Sequence, residues 1–330
     1  MRAFIYERPA DPDQAVAAAG AGAAAYLAGG TTILDLMKLD VMRPRRLVDI
    51  NGLPPEYAAI RQTKDGLYLG ALAHMSTAAA HPVVRQEYPV IAQSLELAAS
   101  QQLRNMATLG GNVLQRTRCS YFRDPSWSAC NKREPGSGCA ALEGVNRKHA
   151  ILGASEHCIA TYPGDFAQAL IALDAETDIL TRGGVRRIRF ADLHRLPGTT
   201  PEIETALEPG ELIAGFAVQG APWMRRSLYL KVRDRESYEF ALASAAVALD
   251  LDGRRVRQAR IALGGVATKP WRAREAEEAL SGKELTEANA AAAARAAFAG
   301  ARPREDNAFK AELGRRTLVR ALLQASEMKV

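Results

Sequence analysis

Short apolar segments alternate with helical patterns at the beginning of the chain. Asp11 or Asp13 can cap an alanine-rich helix that is expected to continue to about Ala25. Thr31 or Thr32 can cap a second helix. The strands are predicted at 3–6, 26–28 and 47–50, and the second helix at 33–39. This strand-helix-strand-helix-strand order predicts a small α/β unit.

The middle of the chain mixes hairpin patterns with helices. Residues 57–69 alternate around Lys64-Asp65-Gly66, and residues 177–189 alternate around Gly183-Gly184, so both segments predict hairpins. Pro82 is expected to break a helix that starts at Ser76. The other elements are predicted as a helix at 89–100, a strand at 159–161, a helix that ends near 173, a long loop at 197–211 and a strand at 212–218.

Strands followed by helices predict an α+β domain at the end of the chain. The strands are expected at 227–232, 241–251 and 256–263, and the helices at 271–280, 285–299 and 307–327. Prolines after residue 50 and the Gly220-Ala221-Pro222 segment indicate domain boundaries. The predicted domains are therefore 1–55, 56–222 and 223–330.

The positive charge of the chain is too dispersed to indicate a nucleic-acid partner. Lys and Arg number 43 against 37 Asp and Glu, a net charge of +6, but no run reaches five or six like charges. No window of about 18 apolar residues predicts a membrane span. The first residues contain no apolar segment of the signal-peptide kind. We expect a globular chain with no nucleic-acid binding, no membrane insertion and no signal of its own.

The only four cysteines lie within a 40-residue window. Cys119, Cys130, Cys139 and Cys158 stand in polar loops punctuated by Gly and Pro, which disfavours simple core thiols. Four thiolates can ligate a [4Fe–4S] cluster or a structural zinc ion, and unconnected structural or redox thiols are the third possibility. His157, next to Cys158, is a further candidate ligand.

Three cationic residues flank these cysteines in sequence. Arg118, Lys132 and Arg133 would raise the reduction potential of an anionic cluster if their side chains lay beside it. Solvated charges on a surface loop are the alternative interpretation.

Two glycine turns can bring bare backbone close to a ligand. Ala28-Gly29-Gly30-Thr31-Thr32 connects a predicted strand to a helix, and Thr108-Leu109-Gly110-Gly111-Asn112 is a second turn of this type. Two such turns favour one large ligand with phosphates, such as a dinucleotide. Asp165 either accepts hydrogen bonds from that ligand or caps a helix. The seven-residue link from Asn112 to Cys119 spans at most about 25 Å, so the two predicted sites are close.

Five segments, in chain order, match motifs of one known family. They are Ala-Gly-Gly-Thr-Thr-Ile-Leu-Asp-Leu-Met-Lys (28–38), Gln-Leu-Arg-Asn-Met-Ala-Thr-Leu-Gly-Gly-Asn (102–112), Cys-Ile-Ala-Thr-Tyr-Pro-Gly-Asp (158–165), Tyr-Leu-Lys-Val-Arg (229–233) and Leu-Gly-Gly-Val-Ala (263–267). The chain thus resembles the FAD-binding subunits of the xanthine-oxidase, or molybdenum hydroxylase, family. The resemblance implies an α+β protein, with a two-subdomain FAD-binding fold of the vanillyl-alcohol-oxidase (PCMH) type followed by a C-terminal α+β domain of the CO-dehydrogenase flavoprotein type.

The resemblance also implies the residues that bind FAD. Leu207 and Lys231 would lie near the isoalloxazine ring. The other implied contacts are Ala28, Gly29, Gly30, Thr31, Thr32, Ile33, Leu34, Thr108, Gly111, Asn112 and Asp165.

The segment from about 115 to 158 resembles an insert found in a narrower group, the flavin subunits of bacterial periplasmic aromatic-aldehyde oxidoreductases. This implies a [4Fe–4S] cluster on Cys119, Cys130, Cys139 and Cys158 beside the FAD. It also implies a large partner subunit with a molybdenum cofactor, a small partner with [2Fe–2S] clusters and an external electron acceptor. The chain would be an electron-transfer subunit of this heterotrimer with no catalytic acid or base of its own.

Two further alternatives remain at this point. One is a stand-alone FAD-dependent reductase or oxidase with a zinc-stabilised insert, and the other is an iron–sulfur protein that binds nucleic acid. For localisation, the resemblance implies export to the periplasm with a signal-bearing partner, and a cytoplasmic protein is the alternative.

Overall fold

The computed structural model describes residues 1–330 and contains three β-sheets. Each sheet falls within one of the three predicted ranges, and the exact domain boundaries stay predictions. The mixture of helices and sheets confirms the predicted α+β class. None of the helices is both long and apolar enough to cross a membrane.

The first sheet is parallel and has three strands. Its elements are β1 (Ile5–Glu7), α1 (Pro12–Ala19), β2 (Ala24–Leu27), α2 (Ile33–Lys38) and β3 (Arg46–Asp49), with strand order β1-β3-β2. The Asp11 side chain accepts a hydrogen bond from the Gln14 backbone N–H at 2.8 Å, which fixes the start of α1. The prediction that this helix reaches Ala25 is wrong, because it ends before Gly20 and residues 24–27 form β2.

The second sheet is antiparallel and lies against a group of helices. Its strands are β4 (Ile60–Thr63), β5 (Gly66–Gly70), β6 (Glu176–Thr181), β7 (Gly184–Arg189) and β8 (Leu212–Gln219), in the order β4-β5-β8-β6-β7. The helices are α3 (Met75–Ala80), α4 (Pro82–Glu87), α5 (Pro89–Glu96), α6 (Gln101–Met106), α7 (Leu109–Val113), α8 (Ser120–Arg123) and α9 (Phe166–Ala172). Phe166 and Phe216 are fully buried between these two layers, with their rings edge to face.

Two predictions for this region are wrong. The segment 159–161 is not a strand, because its backbone pairs only with irregular segments: Ala150 donates to the Ile159 carbonyl and Tyr162 donates to the Ala267 carbonyl. The second glycine turn is the first part of the short helix α7, which Thr108 caps by accepting from the Gly111 N–H.

The third sheet is buried on both faces. Its strands are β9 (Ser227–Val232), β10 (Ala243–Asp252), β11 (Arg255–Gly264) and β12 (Trp271–Arg272), in the order β12-β11-β10-β9, and the helices are α10 (Arg274–Leu280), α11 (Glu287–Ala297) and α12 (Phe309–Ser326). Ala245 and Val247 belong to the core under α11 and α12, whereas Ala246 and Ala248 belong to the core of the second region. This alternation follows the two-residue period of a strand. The sheet therefore presents one face directly to the second region.

The cysteine insert, residues 115–158, consists mainly of turns and is closed at its base. The Thr117 hydroxyl donates to the Thr161 carbonyl at 2.9 Å, so the segments entering and leaving the insert lie side by side.

Candidate functional site

The two glycine turns are packed directly against each other. A Cβ atom on Gly29 would lie 1.9 Å from the Met106 carbonyl oxygen, so only glycine allows this contact. Gly30 has a φ of +72°, a left-handed conformation that also favours glycine. The predicted proximity of residues 28–32 and 108–112 is therefore realised in the fold.

A groove runs between the turns, and we call it the glycine groove. It consists of two adjoining cavities of about 240 and 250 Å³ that share Thr31 and Thr32 as walls. The first cavity is lined by the predicted residues Ala28, Gly29, Gly30, Thr31, Thr32, Ile33, Thr108 and Gly111, and the second by Thr31, Thr32, Asn112 and Asp165.

The glycine groove offers hydrogen-bonding groups that the protein itself leaves free. The backbone N–H groups of Thr31 and Thr32 donate to no other protein group, and the buried Asn112 Oδ1 atom has no partner. The Thr32 hydroxyl makes no cap bond to α2. Buried polar groups are normally satisfied. Free N–H groups beside bare glycine backbone suit the phosphates of a dinucleotide, and the residues present fit FAD.

Asp165 is held by a buried network at the far end of the groove. Its Oδ2 atom lies 2.7 Å from Lys231 Nζ, and its Oδ1 atom accepts from the Tyr229 hydroxyl at 2.6 Å. The same hydroxyl lies 2.9 Å from the Ser244 Oγ atom. Burial and the Asp165 charge both raise the pKa of Tyr229, so this hydroxyl stays protonated. Asp165 occupies the N-cap position of α9, as the helix-cap interpretation has it, but its side chain makes no cap bond and is engaged by Lys231 and Tyr229 instead.

The position of Lys231 follows from the third sheet. Tyr229 and Lys231 are two residues apart on β9 and therefore share the face that is turned toward the second region. Lys231 does not line the groove but donates to Asp165 and, at 3.0 Å, to the Leu97 carbonyl. Its contact with a flavin ring stays a prediction.

Two further implied FAD contacts, besides Lys231, do not line the groove. Leu34 closes the first turn from inside, where its backbone N–H donates to the Gly30 carbonyl at 3.2 Å. Leu207 lines a neighbouring cavity of about 340 Å³ that shares Leu114 and Arg116 with the first cavity of the groove and also contains Cys158. The structure does not bring Leu207 to the cavity of Asp165, and its role stays a prediction.

The four cysteines, which are clustered in sequence, also lie near one another in the fold. Cys130 and Cys139 face each other in an antiparallel bridge. Cys119 packs against the small apolar cluster that contains Cys130, and Cys119 and Cys139 both pack against the cluster of Tyr121, Ala141 and Ile159. All four thiols are free. Burial raises the pKa of Cys119 to about 12 and that of Cys158 to about 11. Neighbouring thiols contribute to both shifts, and Cys158 feels both Cys130 and Cys139.

The cysteine arrangement differs from a site for one metal ion. No group of three or more His, Cys, Asp or Glu side chains is arranged to hold a single ion. A cubane cluster spaces its ligands more widely, because each cysteine binds a different iron. The chemistry of the donor set suits such a cluster: all four thiols are unpaired, Cys130 and Cys158 are buried, Cys119 and Cys139 are half-buried, and the Ala160 N–H donates to Cys158 Sγ at 3.4 Å. The presence of the cluster is a matter for the proposal below.

Sequence patterns gave no indication of His149 at this site. Its Nε2 atom lies 3.2 Å from Cys119 Sγ, and burial lowers the pKa of the ring to about 4, so the ring is neutral near pH 7. A histidine 30 residues away in sequence has no motif that connects it to Cys119. His157, the candidate suggested by its neighbour Cys158, is exposed, and its carbonyl accepts from Asn131 at 3.0 Å.

The flanking cations have separate roles in the fold. Arg133 donates to the carbonyls of Tyr121 and Phe122, so it braces the insert backbone. Lys132 donates to the Pro201 carbonyl at 2.9 Å, and its charge lowers the pKa of Cys158 in opposition to burial. Of the three predicted cations, only the Lys132 charge acts on a cysteine, Cys158. The Arg118 guanidinium pairs with Asp35, although Arg118 lines one cavity together with Cys119, and the Arg133 guanidinium is engaged by backbone carbonyls.

The fold and the groove define a dinucleotide-binding protein of the two-subdomain flavoprotein class. Residues 2–218 match the model of the FAD binding domain in molybdopterin dehydrogenase, and residues 228–325 match that of the CO dehydrogenase flavoprotein C-terminal domain. The chain therefore belongs to the FAD-binding medium subunits of the molybdenum hydroxylase family. It is a subunit of an oxidoreductase of the aldehyde oxidoreductase and xanthine dehydrogenase type.

Relatives match this chain almost from end to end. The aldehyde oxidoreductase FAD-binding subunit PaoB of Escherichia coli (strain K12) is 47% identical over 327 residues, which are 98% of this chain and 99% of that protein. The carbon monoxide dehydrogenase medium chain of Hydrogenophaga pseudoflava is 28% identical over 306 residues, which are 92% of this chain and 88% of that protein.

A solved structure shares the whole fold. Carbon monoxide dehydrogenase from Hydrogenophaga pseudoflava, in a form that lacks the Mo-pyranopterin moiety of the molybdenum cofactor, superposes with a TM-score of 0.76 at 27% identity. The match covers 98% of this chain and 97% of that chain. The predicted fold and the predicted family are confirmed. The comparisons give no support for an iron–sulfur cluster in this chain.

Proposed function

We propose that this chain is the electron-transfer subunit of a molybdenum-containing aldehyde oxidoreductase. Its task is to carry electrons from the [2Fe–2S] clusters of a small partner subunit to an external acceptor, while a large partner subunit with the molybdenum cofactor oxidises the aldehyde. Bound FAD supplies the conversion between one-electron and two-electron transfer. The high identity to an aldehyde oxidoreductase subunit supports this choice of substrate class.

The glycine groove is the observation on which the proposal mainly rests. Gly29 lies against the Met106 carbonyl, the Thr31 and Thr32 N–H groups are free, and Asp165 faces the second cavity. These residues would hold the pyrophosphate at the turns and orient the rest of FAD toward Asp165. The Lys231 and Tyr229 contacts fix the Asp165 carboxylate in one orientation and keep water away from it.

We further propose that Cys119, Cys130, Cys139 and Cys158 hold a [4Fe–4S] cluster. The four free thiols within one insert support it, and so do the effects of the neighbouring Cys130 and Cys139 on the pKa of Cys158. Such a cluster supplies a second one-electron site close to the groove.

Cofactor analysis of the purified full-length chain tests both parts. We expect FAD to be released on denaturation, and iron with labile sulfide in amounts near four per chain. Zinc without sulfide would refute the cluster and favour a stand-alone flavin reductase with a zinc-stabilised insert. A protein that is purified with its partners but contains no flavin would refute the whole proposal.

We propose that the chain is exported to the periplasm together with a signal-bearing partner. Fractionation of cells that express the complete set of subunits tests this. Recovery of the chain in the periplasmic fraction only when the partner signal is intact supports co-export, and recovery in the cytoplasm in both cases refutes it.

A further inference from the structure

Arg118 is the residue of the cysteine insert that lies against the glycine groove. It directly precedes Cys119, and its side chain lines both the second cavity of the groove and a neighbouring cavity of about 460 Å³ that is bounded by Cys119 and His149. Its guanidinium carbon is 5.0 Å from the centre of the Phe240 ring, which lines the same two cavities. One side chain therefore forms part of the wall between the two sites.

The positive charge at this wall is not fully neutralised. Arg118 Nη1 lies 3.1 Å from Asp35 Oδ2, and Arg123 Nη2 lies 2.8 Å from the same oxygen. Two guanidinium groups share one carboxylate, which leaves an excess of one positive charge. The other carboxylate at this wall, Glu239, is paired with Lys148 at 3.4 Å.

Arg118 also has an unused hydrogen-bond donor. Its Nε atom is buried and has no partner within the protein. A buried donor without an acceptor is unfavourable, so it is normally retained where a ligand or ion supplies the acceptor. Asp35 belongs to α2, the helix that follows the first glycine turn, so the pair also connects the cysteine insert to the groove.

We propose that Arg118 is a positioning residue shared by the two redox sites, whose excess charge and free N–H stabilise the negative charge that either site gains on reduction. The inference rests on the proposed function. It predicts that the reduction potentials of both sites depend on this one side chain. Arg118 takes no part in binding aldehyde and transfers no proton.

The test is an equilibrium redox titration of the full chain with its bound FAD, followed by flavin absorbance and, for the cluster, by electron paramagnetic resonance. We expect Arg118→Met to lower the flavin midpoint potential by an amount on the order of 30 mV, the equivalent of a tenfold change for a two-electron couple. Arg118→Lys should retain most of the potential, because the charge remains.

Arg123→Met is the matched control. This change also removes one guanidinium group from the same Asp35 oxygen, but the Arg123 side chain lines neither cavity. We expect a clearly smaller shift than in Arg118→Met. Equal shifts in the two variants would indicate a general charge effect and overturn the proposal, as would an unchanged potential in Arg118→Met with FAD still bound.

Asp35→Asn keeps the test decisive if Arg118→Met does not fold. This change removes the carboxylate and leaves both guanidinium groups unpaired, so the flavin potential should rise, and a fall would overturn the proposal. The iron content of the wild-type chain tests the proposed cluster separately. A chain without iron refutes the cluster, and the shift in the flavin midpoint potential can still be measured.

Discussion

The buried Asp165–Lys231 pair allows a quantitative prediction about stability. Both side chains are almost completely shielded from water, with 5% and 1% of their surface exposed, and their charged atoms are 2.7 Å apart. Lys231→Met leaves the Asp165 charge buried with only the Tyr229 hydroxyl as partner. It also removes one of the two donors to the Leu97 carbonyl, the other being Arg233. Removing one partner of a buried ion pair costs about 3–5 kcal/mol.

Thermal unfolding of the FAD-free chain measures this cost. At roughly 2–4 °C per kcal/mol for a chain of a few hundred residues, we expect Tm to fall by about 6–20 °C. The double variant Asp165→Asn/Lys231→Met removes both charges and should be more stable than Lys231→Met alone, because no uncompensated charge remains.

An exposed ion pair is the control for this prediction. Glu87 and Arg225 form a two-bonded pair near the surface, with 30% and 53% of their side chains exposed. Glu87→Gln should change the unfolding free energy by about 1 kcal/mol or less. The reasoning fails if Lys231→Met costs no more than Glu87→Gln, or if the double variant is less stable than Lys231→Met.

Three further outcomes are expected. Gly29→Ala places a Cβ atom 1.9 Å from the Met106 carbonyl and should abolish FAD binding in a flavin-release assay, whereas Gly300→Ala, where no atom lies within 4 Å, should bind FAD normally. Cys130→Ser should lose the iron–sulfur signal and retain part of its FAD; full iron content in this variant would exclude Cys130 as a ligand. Burial lowers the pKa of Lys310 from its ordinary value near 10.5 to about 7. Between pH 7 and pH 10.5 the folded state therefore binds fewer protons than the unfolded state, so the free energy of unfolding rises with pH in this range. Denaturant unfolding at several pH values measures this rise, and Lys310→Met should remove up to about 1.4 kcal/mol per pH unit of it. The same pH slope in the variant and the wild type would show that the lysine titrates normally.

Local sequence patterns were sufficient for the features that depend on local chemistry. The glycine turns were recognisable because only glycine allows backbone to approach so closely, as at Gly29. Asp11 marked the start of α1 through its own cap bond. The convergence of the cysteines was suggested by their clustering in sequence, since short loops keep such residues near each other.

Features that depend on distant contacts could not be predicted. Asp165 resembles a helix cap in sequence, and only the approach of β9, more than 60 residues later, shows that it belongs to an ion pair. His149 and Lys310 gain their perturbed pKa values through burial, which no motif reveals. Ile159 and Ala160 are apolar because they are buried, Ile159 in a small cluster with Tyr121 and Ala141, and not because they join a sheet.

The hydrogen bond between Thr117 and Thr161 has a consequence for the history of this chain. The two ends of the cysteine insert are adjacent, so the chain leaves and rejoins the fold at one place. Closing a loop of this kind becomes only slowly more costly as the loop lengthens. The last part of the insert is different, because Ile151 and Leu152 belong to the core under α11 and α12 and the His149 carbonyl accepts from the buried Lys310 at 2.9 Å. The outer part of the insert could therefore be lengthened or shortened in evolution, whereas residues 149–152 are held by the C-terminal core.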